Sequence, residues 1–243
     1  MSLVPFVSFV SPVAIVAATA LSYALGWAIG VPVLLPFLNT AASFPFMLLA
    51  LRRGDVGLAV SRMLLWALTM GVTATLWSYA RPSETGALFL RGESYRTEMF
   101  AWVLTGHGAE STPSQFIPQQ IGHAVIFSGL ALATGGALAM PMGALLMNYM
   151  GHYVGTLAAA SRHPAMTVLL AWHPWAVIRV ISFVVIGVVL SAPLLSRIGR
   201  FRVDWIAART LLRWACAGLV ADIVLKTLLA PAWQRLLLRT VGW

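Results

Sequence analysis

Charge is what this chain has least of: 9% of its 243 residues are charged, against 60% hydrophobic. Soluble domains carry roughly 25% charged residues, so a water-soluble core of this size is excluded. No hydrophilic stretch is long enough to hold a second, soluble domain. Cysteine is almost missing as well. Cys216 stands alone in an apolar run, which rules out an intrachain disulfide and CxxC-type redox or zinc chemistry. Lysine occurs once, as Lys226, so arginine makes up the rest of the sixteen basic residues. Those arginines sit in short blocks between apolar runs. The formal charge of +9 therefore implies no nucleic-acid partner, because no contiguous basic surface longer than a loop exists. The signatures GxSxG and HExxH are absent, and no paired aspartates occur inside an apolar run.

What remains is apolar sequence in pieces of membrane-crossing length. A transmembrane helix needs about 20 apolar residues, so the chain has room for about six or seven spans plus loops. The reading is an all-α, polytopic transmembrane helix bundle of about seven spans, within a range of about six to eight. Residues 1–243 form a single integral membrane domain with a polar external loop at 81–118. No charged residue precedes the first apolar run, so residues 6–30 read as a retained span and not as a cleaved leader. Pro36, Pro45 and Asn39 make 33–51 either a kinked span, the favoured reading, or a re-entrant segment, since backbone groups freed by proline need partners within protein.

Arginine placement orients the bundle. Arg52, Arg53 and Arg62 around Asp55, and Arg197, Arg200, Arg202, Arg209 and Arg213 around Asp204, mark two cytoplasmic turns. The 81–118 loop holds Glu84, Glu93, Glu98 and Glu110 against Arg81, Arg91 and Arg96, and so falls outside. Within it, 93–104 is expected to form a short interfacial helix. Spans at 57–80, 119–148, 150–172 and 175–195 give the even number of crossings that the two basic turns require. The N-terminus is then inside, and a short amphipathic tail from Pro231 is outside. The expected location is a bacterial inner (cytoplasmic) membrane.

Several residues are candidates for more than lipid contact. Gly129 and Ala133, then Gly135, Ala139 and Gly143, recur at four-residue spacing, and Gly151 and Gly155 form a GxxxG. Small residues on one helix face let membrane helices pack closely, within the chain or against another subunit. Asp222 and Lys226, four apart in the final apolar run, are expected to share a helix face as an intramembrane charge pair. Arg179 is expected to reach the interface and contact a lipid head group. His123, His152 and His173 are the candidate metal or haem ligands, although no pair of them has helical i, i+3 or i, i+4 spacing. Met140, Met142, Met147 and Met150 raise copper, but Gly143 and Ala144 interrupt the thioether stripe, which favours core packing. No motif names a cofactor.

Three functions follow from these features. The first is a non-catalytic integral subunit or assembly factor of a larger membrane complex, with the bilayer and other membrane subunits as partners. The second is a transporter or channel component, with Asp222, Lys226, Asn39 and the proline-broken segment lining a path. The third is a membrane enzyme or a haem- or metal-binding protein.

Overall fold

The computed structural model describes residues 4–242, and their side chains from residue 12 onward. Among the described residues there is no strand. The elements are α1 (Val4–Ile29), α2 (Leu35–Ala41), α3 (Phe44–Arg52), α4 (Val56–Ala80), α5 (Pro82–Leu88), α6 (Gly92–Thr105), a 3-10 turn (Ala109–Ser111), α7 (Pro113–Thr134), α8 (Ala139–Ala159), α9 (Pro164–Ala171), α10 (Pro174–Gly199) and α11 (Trp205–Val241). Six segments are long and apolar enough to cross a membrane: Pro12–Ile29, Leu35–Arg52, Val56–Ala80, Pro113–Thr134, Pro174–Gly199 and Trp205–Val241.

The helix starts follow from local chemistry. Asp55 caps α4 by accepting from the Leu58 amide at 2.7 Å, and Asp204 caps α11 by accepting from Ile206 and Ala207. Both acids of the basic turns are thus used at positive helix ends, where an anion is favoured. Proline opens α5, α7, α9 and α10, at positions where no amide partner is needed. The two basic turns lie side by side, because a side chain added at Gly54 would sit 3.5 Å from the Arg202 carbonyl. At the opposite end, Arg81 lies over the Trp27 ring, which brings the end of α1 to the acidic layer formed by α5 and α6.

The helix α8 is the centre of the bundle. It is less apolar than the six candidate spans because protein encloses it: Asn148, His152 and Thr156 are all buried on it. Asn148 gives a hydrogen bond to Asn39 and receives one from Tyr23, while Asn39 also bonds Ser22. Trp66 donates to the Asn39 carbonyl. This network ties α1, α2, α4 and α8 together with its partners matched, as burial of polar groups demands. Gly151 and Gly155 press α8 onto α4. A Cβ at Gly151 would stand 2.5 Å from the Ala74 Cβ, and one at Gly155 would overlap the Thr75 carbonyl and Ser78.

Several boundaries differ from the sequence expectation. The break expected near 149 lies instead at 135–138. Gly135 and Gly136 adopt φ of +59° and +88°, a left-handed turn that ends α7. Only glycine takes this conformation without strain. Gly135 is therefore a turn residue and not part of a helix face with Ala139 and Gly143, which lie beyond the turn on α8. Gly129 and Ala133 are exposed on α7, and a Cβ at Gly129 would meet nothing within 4 Å, so they pack against no helix among the described residues. The 150–172 segment is not one helix: α8 ends at Ala159, and the eight-residue α9 follows. The α9 segment lies along the final turns of α11, where Trp233 donates to the Leu170 carbonyl at 2.7 Å. Finally, α11 runs through Pro231 without a break, so there is no separate tail. The kinked second span and the short helix near 93–104 have the expected form, as α2–α3 and α6.

Candidate functional site: a buried ion-pair network above an apolar cavity

A cavity of about 170 Å³ opens beneath α6, among α4, α6, α7, α8, α10 and α11. Its two ends differ in chemistry. One is lined by Glu98, Glu110, Gln120, His123, Arg179 and Lys226; the other by Phe127, Met140, Leu146, Met147, Phe183 and Val184. Aromatic side chains also line the cavity. The Tyr95 and Tyr149 rings are 4.5 Å apart, and Trp102 and Phe116 also face the cavity.

The polar end is held by two cross-linked ion pairs. Arg179 Nε lies 2.9 Å from Asp222 Oδ2, joining α10 to α11. Gln120 on α7 donates to the same carboxylate oxygen. Lys226 Nζ lies 2.9 Å from Glu110 Oε1 and 4.3 Å from the centre of the Phe116 ring. Asp222 and Lys226 share a face one turn apart, but each has its ion-pair partner on another element. The expected local pair is thus replaced by a network of four charges. Arg179, expected to reach the interface, turns its guanidinium onto Asp222 while its side chain stays partly exposed. Burial raises the Glu110 carboxyl, but Lys226 and Arg179 outweigh that effect and hold it below the usual carboxylate range.

Unmet polar groups collect around the same place. Glu110 Oε2, Trp102 Nε1, Tyr153 Oη, His173 Nε2 and Trp175 Nε1 are buried without a hydrogen-bond partner. His173 links them physically: its ring stacks on Trp175 at 4.7 Å and meets Trp102 edge-on at 5.4 Å. Glu110 and Trp102 both line the cavity, whereas the His173 ring lies behind its wall.

The three candidate histidines do not meet. His123 lines the cavity from α7, and His173 sits at the start of α10. His152 is in a different network, on the far side of α8. Its Nε2 lies 3.2 Å from Glu93 Oε1, and its Nδ1 lies 3.2 Å from both Thr85 and Ser78. This cluster fastens α4, α5 and α6 to α8. Burial raises the Glu93 carboxyl, but hydrogen bonds from His152 and Arg96 hold it below the usual range. Among the described residues, no three His, Cys, Asp or Glu side chains converge as a metal site would require. Met140, Met147 and Met150 line the cavity as packing side chains. Asn39 lies outside the cavity, in the matched network on α8.

Glu110 and Gln120 could not be assigned to the site from sequence. Glu110 lies in the polar turn before α7 and Gln120 in the first turns of α7 itself, and nothing local indicates that they turn inward onto α11.

Fold and cavity together define a class: a helical membrane protein with a polar-headed, apolar-tailed chamber inside the bundle. No family model matches the chain, and comparison with the curated proteins and with the solved structures finds no similar protein.

Proposed function

We propose that this chain is a membrane transporter or channel component that admits a small amphiphilic molecule to the cavity beneath α6. We further propose seven crossings, with α8 as the enclosed seventh, the N-terminus inside and the α6 layer outside. The proposed location is a bacterial cytoplasmic membrane.

The observation that carries the reading is the Arg179–Asp222 and Lys226–Glu110 network at the head of an otherwise apolar chamber. Ionisable groups inside spans are costly and mark ligand or ion paths by default. A well-formed apolar pocket with a few convergent polar groups is the standard form of a small-molecule site. The non-catalytic subunit reading rests instead on the exposed apolar faces of α7 and α11. Lipid covers such faces equally well.

Gly143 lines the cavity, and a Cβ there would make ordinary contact with Phe127 at 3.5 Å. Gly143→Phe therefore fills the chamber from within. The protein is purified in a mild non-ionic detergent and denatured, and the released molecules are read by mass spectrometry. A stoichiometric small molecule is expected from the native protein and not from Gly143→Phe. An empty cavity in a protein that copurifies stoichiometrically with other membrane subunits would overturn the proposal in favour of the subunit reading.

A further inference from the structure

The chemistry of the cavity narrows its ligand, provided that the cavity is a binding site as proposed above. Both cations at the polar end, Arg179 and Lys226, are already engaged by carboxylates. An anionic head group would find neither cation free and would face the Glu98 and Glu110 carboxylates on the cavity lining.

An ammonium ion meets the opposite conditions. Glu110 Oε2 is buried, lines the cavity and accepts no hydrogen bond. It can take one N–H without disturbing Lys226, which uses the other oxygen. Tyr95, Tyr149, Trp102 and Phe116 offer ring faces or edges, and ring faces attract cations. The chain contains its own precedent: the Lys226 ammonium rests between a Glu110 oxygen and the Phe116 ring. Trp102 adds a second requirement. The residue is 1% exposed and its indole N–H has no acceptor, a need that an oxygen on the ligand would meet. The Phe127, Met147 and Phe183 end then takes an apolar tail.

We propose that the cavity binds a lipophilic amino alcohol in its ammonium form. The ammonium donates to Glu110, the hydroxyl oxygen accepts from Trp102, and the tail lies among the methionines and phenylalanines.

Three twelve-carbon probes differing only in head group test this: N-dodecylethanolamine, dodecanol and dodecanoate. Each is titrated at neutral pH into the full chain in non-ionic detergent, with binding read by native mass spectrometry and by thermal midpoint. The ethanolamine should bind at least about tenfold more tightly than either other probe, a difference of about 1.4 kcal/mol. Trp102→Phe should weaken it several-fold. Glu110→Gln should remove most of the preference for the cation. Because that change strands Lys226, Glu110→Gln with Lys226→Met is measured beside it and should also lose the preference. Equal or tighter binding of dodecanol or dodecanoate, abolished by Gly143→Phe, would overturn the ligand class and leave the cavity standing. Binding of no probe, or equal binding to Gly143→Phe, would overturn the cavity reading itself.

Discussion

Arg179 holds Asp222 through two parallel hydrogen bonds, Nε to Oδ2 at 2.9 Å and Nη2 to Oδ1 at 3.1 Å. This fork geometry fixes direction as well as distance, and it joins α10 to α11. The Asp222 side chain is fully buried, and the contact supplies its counter-ion.

The first prediction follows from it. Breaking a buried pair from one side costs about 3–5 kcal/mol, while replacing both members by apolar residues can be nearly neutral. Asp222→Leu alone and Arg179→Met alone should each sharply reduce the folded yield in detergent. The double variant should recover most of it. Strictly additive losses would show that the two side chains do not support each other.

The Lys226–Glu110 pair should be visible in the acid dependence of stability. The Glu110 carboxyl sits below its ordinary value in the folded protein, chiefly because Lys226 and Arg179 overcome the effect of burial. A depressed folded value means stability that is present above the unfolded value of about 4.3 and lost as pH falls through the folded one. The thermal midpoint should therefore fall as pH drops below about 4.3. Glu110→Gln with Lys226→Met should flatten that slope. An unchanged slope would mean that Glu110 is not ion-paired.

Glycine positions separate a packed helix face from an open one. Gly155→Ala drives a methyl into the Thr75 carbonyl and Ser78, and overpacking of this kind costs about 1–3 kcal/mol. Gly129→Ala meets nothing and should leave the thermal midpoint unchanged or raise it, since alanine favours helix by up to about 1 kcal/mol. Equal effects at the two sites would contradict the close approach of α8 to α4.

Orientation is tested by labelling single cysteines in a Cys216→Ser background. A cysteine at His107, exposed in the loop after α6, should react with a membrane-impermeant reagent in intact cells. A cysteine at Ser196, near the end of α10, should react only after the cells are opened. The reverse pattern would invert the bundle.

The parts legible in the sequence were those governed by a one-dimensional signal. Apolar runs of span length located six long apolar helices in outline, though not the division of 119–172, and arginine blocks located the two basic turns. Pro36 and Pro45 announced the kink between α2 and α3. Small-residue spacing was ambiguous because glycine serves opposite purposes. At Gly151 and Gly155 it lets two helices touch, while at Gly135 and Gly136 it ends one. Spacing alone cannot separate these, since the difference lies in the sign of φ. The charge network was hidden for another reason. Helical periodicity places Asp222 above Lys226 on one face, but the partner of each lies far away in sequence, on α10 and in the 3-10 turn after α6. Such partners are set by how helices pack side by side, which no local pattern encodes.

The length of α11 has a consequence for how the chain is made. At about 1.5 Å per residue this helix is far longer than a bilayer core of about 30 Å. It carries Asp222 and Lys226, the counter-ions of groups synthesised earlier. Until α11 arrives, Arg179 near the start of α10 and Glu110 in the turn before α7 lack their counter-ions, and a charge left unpaired within a span is costly. Entry of α10 and α11 together as a hairpin, over the short turn between them, would conceal the Arg179 charge in a single step. A nascent chain interrupted before residue 222 would leave the Arg179 charge unmatched. To the cell's quality-control proteases, that would mark the bundle as unfinished.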